Sequence, residues 1–133
     1  MNKEVRLGNF IKKRKRGENM ELFDTHSHYN DEKFDEDRVQ IIKDTYESGV
    51  TKFVCAGYNI ESSKKAIEMS QKYEFIYSIC GISPNDIPQS EQNLWKDIEK
   101  ITQIVRENKT NKLVAIGEIG LDYYWNKENK EFQ

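Results

Sequence analysis

Two imidazoles stand two residues apart in Asp24-Thr25-His26-Ser27-His28, at the close of the short run Glu21-Leu22-Phe23. Successive side chains of an extended strand point to opposite faces, so His26 and His28 share a face and Asp24 lies with them. A pair of neutral imidazoles converging from one strand end is half a metal site. Loop histidines that bind nothing are the competing reading. It weakens because the chain has only two histidines and both fall in this motif, where a buried strand should be apolar. Glu118 is the second group with chemical promise. It ends the apolar run Lys112-Leu113-Val114-Ala115-Ile116-Gly117, and a carboxylate held at such a strand end needs a partner if burial is not to destabilise it. A cation shared with the two histidines is such a partner, and a solvated loop glutamate is the alternative.

The elements that must position these groups form a repeated strand–loop–helix pattern. The first strand covers about Leu22–His26. A helix from Glu36 to Ser48 follows, with Val39, Ile42 and Tyr46 recurring at three and four and Gly49 at its stop. Val50–Ala56 is a β-branched strand ended by Gly57. Ser62 or Ser63 can cap a helix to about Tyr73 with Ala66, Ile67 and Ser70 inside, and Phe75–Cys80 is a third strand ended by Gly81. A loop with both prolines leads to a helix at about Glu91–Asn108, whose stripe Leu94, Ile98, Ile101 and Val105 reads as core packing. Lys112–Gly117 is the fourth strand. Strands alternating with helices predict an α/β fold of parallel units with right-handed crossovers, and near-continuous apolar strands predict a covered sheet. Open doubly wound sheets and closed barrels both fit. In either, chemistry gathers at the C-terminal strand ends, where Asp24, His26 and His28, then Asn59, then Asn85 and Asp86, then Glu118 and Asp122 are found.

A length of 133 residues bounds the chain to one domain or part of one. No apolar run approaches the roughly 20 residues of a membrane span, and no segment reads as a secretory signal. Cys55 and Cys80 each fall inside a predicted strand and read as reduced core thiols, which fits the expectation of a cytoplasmic protein.

A net charge of −2 hides an asymmetry: residues 1–19 carry a balance of +5, and the remainder −7. Lys12-Lys13-Arg14-Lys15-Arg16 reads as a solvated basic leader, with a nucleic-acid patch as the alternative. Arg16-Gly17-Glu18-Asn19 can be encoded by a purine-rich stretch resembling a bacterial ribosome-binding site, which would make Met20 the natural start. The expected division is therefore a disordered leader, 1–19, and a folded part, 20–133.

Phosphate cradles are excluded, because His28-Tyr29-Asn30-Asp31-Glu32-Lys33-Phe34 lacks the glycines of a dinucleotide fingerprint or a P-loop. A G-x-S-x-G nucleophile elbow is also absent.

Leu22-Phe23-Asp24-Thr25-His26-Ser27-His28, Phe34-Asp35-Glu36-Asp37-Arg38, Gly49-Val50 and Gly117-Glu118-Ile119-Gly120-Leu121-Asp122-Tyr123, in that order, resemble the TatD family of metal-dependent deoxyribonucleases. The resemblance implies a (β/α)₈ TIM-type barrel, of which this chain carries about four βα units. It implies a hydrolase with divalent metal ions, two per complete site, drawn from Mg, Zn or Mn. The substrate implied is DNA, attacked at single-stranded 3′ ends by a metal-activated water. By position, His26 and His28 match paired ligands of one metal. Glu118 matches the catalytic carboxylate that ligates the ions and bridges them in two-metal members. Asp24 is expected to orient an imidazole, and Asp122 and Tyr123 to shape the substrate loop. Where members carry G-[IV]-H-P-H, this chain reads Gly81-Ile82-Ser83-Pro84-Asn85. Ser83 and Asn85 can still hydrogen-bond a phosphate oxygen. The family's remaining ligands come from later strands, so the chain reads as an N-terminal half, inactive alone and prone to edge aggregation. Three rivals stand beside this reading: another metallohydrolase of the PHP or amidohydrolase type, a non-catalytic half-barrel, and a nucleic-acid binder acting through the leader.

Overall fold

The computed structural model describes residues 21–125 and 127–133, so the basic leader and the Met20 start lie outside the described residues. Four strands, β1 (Leu22–Ser27), β2 (Val50–Ala56), β3 (Ile76–Cys80) and β4 (Leu113–Ile116), alternate with α1 (Arg38–Ser48), α2 (Ile60–Lys72) and α3 (Glu91–Glu107). All neighbours pair parallel, in the order β1-β2-β3-β4. A doubly wound sheet reverses its strand order partway across, whereas a barrel winds in one direction. The sequential order therefore selects the barrel-type winding.

The helices begin where the chain first satisfies their orphan amides, not where the apolar pattern first starts. Residues preceding α1 are taken into a 3₁₀ turn, Glu32–Phe34, which Asp31 caps by accepting from Lys33 N. This delays the helix to Arg38, two residues after the expected Glu36. The Arg38 guanidinium then donates to the carbonyls of Tyr29 and Asp31, holding the β1–α1 loop against the helix. Gly49 ends α1 at φ 119°, a left-handed conformation that only glycine adopts without strain. For α2 the expected serine cap is corrected: Asn59 is the N-cap and accepts from Ser62 N. Ser62 returns the bond by accepting from Asn59 N, each at 2.9 Å. A reciprocal capping box of this kind satisfies two orphan donors at once.

The core lies between α1, α2 and the central strands. Ile42, Phe53, Cys55, Ala66, Met69, Tyr73 and Ile76 form one buried cluster. Burying a side chain of the size of Phe53 or Ile76 stabilises by about 1.5–3 kcal/mol. Val39, expected on the same face as Ile42, points away and is exposed.

The expectation of a wholly covered sheet fails at both edges. Leu22 and Phe23 on β1 and Val114 and Ile116 on β4 are about half exposed, because edge strands have no neighbour on one side. The α3 stripe also departs from pure core packing. Only Ile101 is buried, whereas Ile98 and Val105 stay partly open. With Leu94, Ile116 and Ile119 they line an apolar groove of about 520 Å³ between α3 and the end of β4.

Candidate metal centre

His26 and His28 leave the end of β1, and Glu118 follows β4 at the other edge of the four-stranded sheet. They meet because the chain after β4 folds back across the strand ends. Gly117 N donates to Cys80 O at 2.8 Å, and Glu118 N donates to Gly57 O at 2.9 Å. Gly81 permits this crossing. A Cβ there would lie 2.5 Å from the Gly117 carbonyl carbon and 2.8 Å from Glu118 N, so any larger residue would push the β4 exit away.

The three side chains converge on one point. His26 Nε2 and His28 Nε2 are 3.1 Å apart, and they stand 3.6 and 3.7 Å from Glu118 Oε2. The point equidistant from these three atoms is about 2.0 Å from each, matching zinc–imidazole and zinc–carboxylate bonds of roughly 2.0–2.2 Å. Two imidazoles and one carboxylate are also a donor set of catalytic zinc, one that leaves coordination positions open. Among the described residues these three form a grouping able to hold a metal ion.

Ring orientation is set by the backbone. His28 Nδ1 lies 3.2 Å from Ala56 O. A carbonyl can only accept, so Nδ1 carries the proton and the Nε2 lone pair is directed at the shared point. The same carbonyl accepts from the amide of buried Asn30 at 2.9 Å, and that amide also donates to Ser62 O at 3.0 Å. Burial pushes the Cys55 thiol up to about 11, so it stays protonated at neutral pH and donates to Asn30 Oδ1 at 3.2 Å. The Tyr58 ring meets His28 edge-to-face, with centroids 5.5 Å apart.

The contacts of the other expected site residues are as follows. The Asp24 carboxylate accepts from the backbone N–H of His26 at 3.0 Å, holding the chain that carries this imidazole. Ser83 is buried, and its hydroxyl donates to Asp86 Oδ2 at 2.5 Å. Asn85 donates to Asp122 Oδ2 at 3.4 Å. Tyr123 lies at the loop surface with the Lys130 ammonium 4.8 Å from its ring centre. The Tyr124 N–H, helped by Asn85, holds the Asp122 carboxyl below the usual carboxylate range. Thus His26, His28 and Glu118 are brought together, while Ser83, Asn85, Asp122 and Tyr123 belong to the loops beside them. Ala56, Asn30 and Tyr58 were missed by sequence reasoning. A carbonyl carries no sequence signal, and Asn30 resembles any polar loop residue.

The family model described as TatD related DNase matches residues 23–133. The metal-dependent hydrolase YabD of Bacillus subtilis is 38% identical over 114 residues, covering 84% of this chain and 42% of that protein. The 3′-5′ ssDNA/RNA exonuclease TatD of Cronobacter sakazakii is 30% identical over 102 residues, covering 77% and 36% respectively. Among solved structures, the crystal structure of the TatD homologue YjjV from Escherichia coli superposes with a TM-score of 0.72 at 23% identity, over 84% of this chain and 41% of that one. The chain thus spans less than half the length of these relatives.

Proposed function

This chain belongs to the TatD-related DNase family, and from that premise we propose that His26, His28 and Glu118 are ligands in the divalent-metal centre of a hydrolase acting on phosphodiester bonds of nucleic acid. The observation that carries the reading is the triangle of two Nε2 atoms and one carboxylate oxygen, whose common centre lies at metal–ligand bond length. A cation bound there supplies Lewis-acid neutralisation of phosphoryl charge and acidifies water at neutral pH.

The protein's own part is positional. Ala56 O holds the His28 ring in the tautomer that frees Nε2. Asp24 fixes the backbone that carries His26, and Gly57 O fixes that of Glu118. Its two carboxylate oxygens would let Glu118 hold one ion or two. The exonuclease name of several relatives supports single-stranded DNA or RNA, cut from its 3′ end, as substrate. We place the protein in the cytoplasm on its two buried free thiols. Among the described residues no helix is long and apolar enough to cross a membrane. The division into a leader, 1–19, and a barrel portion, 20–133, belongs to the same proposal.

A non-catalytic reading draws on one observation, the commitment of Ser83 to Asp86 and of Asn85 to Asp122. Hydrolysis of 3′-labelled single-stranded DNA by the whole protein separates the two. Catalysis predicts nucleotide release that stops on chelation and is absent from His26→Ala; turnover indifferent to both would overturn the metal-centre reading.

A further inference from the structure

Large aromatic rings ordinarily bury most of their surface. Tyr124 and Trp125, in the loop that leaves Glu118, are each 76% exposed. Their rings meet edge-to-face at 88°, with centroids 4.7 Å apart, an arrangement that leaves most of the π surface open. The backbone beneath them is nonetheless tied down. Asp122 accepts from Tyr124 N at 2.9 Å. The Gln133 amide brackets Asp122, accepting from its N at 2.7 Å and donating to its O at 2.9 Å. Asn129, fully buried, donates to Pro84 O at 2.9 Å and accepts from Gln133 Nε2 at 2.7 Å. Exposed rings on a pinned loop are displayed in advance of a partner, which lowers the entropy lost on binding.

Taking the nucleic-acid reading of the metal centre as its starting point, we propose that Tyr124 and Trp125 form a stacking platform for the unpaired bases of single-stranded nucleic acid. Every base offers a π face, so stacking on aromatic side chains holds a single strand without reading its sequence. Bases inside a duplex are already stacked and cannot use such a platform. Trp125 lies seven residues beyond Glu118, within about 24 Å of it even on a fully extended chain. A strand with a phosphate at the three ligands therefore reaches these rings within a few nucleotides. Lys127 and Lys130 follow the platform in sequence, alternating with Glu128 and Glu131, and the Lys130 ammonium sits over the Tyr123 ring.

The chain has two tryptophans, so Trp95→Phe leaves Trp125 as the sole tryptophan reporter. Titrated with an eight-nucleotide oligothymidylate, its emission should be quenched saturably. An abasic deoxyribose-phosphate oligomer of equal length should leave it unquenched. Trp125→Ala and Tyr124→Ala should each weaken oligothymidylate binding about tenfold by anisotropy, and Tyr124→Phe should not. Because both rings are exposed, unchanged circular dichroism will show these variants folded. Absent quenching, or equal quenching by the abasic oligomer, overturns the platform. So does a blue shift of Trp125 emission that grows with protein concentration alone, which would assign the rings to an interface between copies. In His26→Ala/His28→Ala the quenching should persist while Co²⁺ binding disappears. Quenching in a wild-type chain that binds no Co²⁺ would leave the platform standing and remove the metal reading instead.

Discussion

Ala56 presents its carbonyl to His28 Nδ1 at 3.2 Å, so the last residue of β2 decides which nitrogen of the histidine just past β1 faces the candidate metal point. With ¹⁵N-labelled histidine, a two-histidine chain gives two ring systems. The ring assigned to His28 is expected in its Nδ1-protonated tautomer while the protein is metal-free. An Nε2-protonated His28 would contradict the geometry. His28→Ala should weaken Co²⁺ or Zn²⁺ binding by more than the roughly 10- to 100-fold attributed to partners of a ligand, measured by calorimetry.

Gly81 is required by the backbone that crosses it. Gly81→Ala puts a methyl 2.5 Å from the Gly117 carbonyl carbon, so Glu118 must move and the protein should lose about 1–3 kcal/mol, the range of overpacking. Metal affinity should fall with it. At Gly117 an added Cβ meets only the end of the Ile79 side chain, at 3.1 Å. Urea unfolding that finds Gly117→Ala the more damaging of the two would refute this account.

Asn30 is 1% exposed and uses both amide protons and its oxygen. Asn30→Ala should destabilise the fold by about 1–3 kcal/mol through the partners left unsatisfied, and should loosen the carbonyl that holds His28. Chemical denaturation reads the first effect, and the His28 tautomer population reads the second.

Asp35 should share the acid response with Asp122, whose carboxyl is also held low. The Asp35 carboxylate accepts from the Lys65 ammonium at 2.8 Å and from the Arg38 guanidinium, and these bonds hold its pKa below the usual 3.8. A depressed folded pKa gives stability that is present above the unfolded value and lost as pH falls through the folded one. Asp35→Asn should therefore flatten the acid limb of the stability profile below about pH 4 and leave its slope near neutrality unchanged. Because the group is exposed, the effect should shrink in salt.

Cys55 should resist alkylation. Burial raises its thiol to about 11, and the thiolate is the reactive form. Iodoacetamide at pH 8 should label neither Cys55 nor the buried Cys80 until denaturant is added.

His26, His28 and Glu118 are legible as candidate ligands in the amino-acid sequence, because histidines two apart on a strand share a face and a carboxylate at an apolar strand end lacks a partner. The alternation of β-branched runs with three-and-four periodicity likewise determined the four strands and three helices, since both patterns are local. Their boundaries shifted where a competing local group won, as when Asn59 took the cap expected of Ser62 or Ser63. The meeting of Glu118 with the histidines across the strand ends was decided only in three dimensions. It depends on strand order and on the space beside Gly81, neither of which a linear pattern encodes. The same holds for Asn85, whose chemistry suits phosphate in the sequence but to which the fold delivers Asp122; Ser83, by contrast, meets Asp86 only three residues along the chain. Residue type determined what each group can do, and tertiary contact decided what each group faces, because hydrogen-bond partners distant in sequence are chosen by packing.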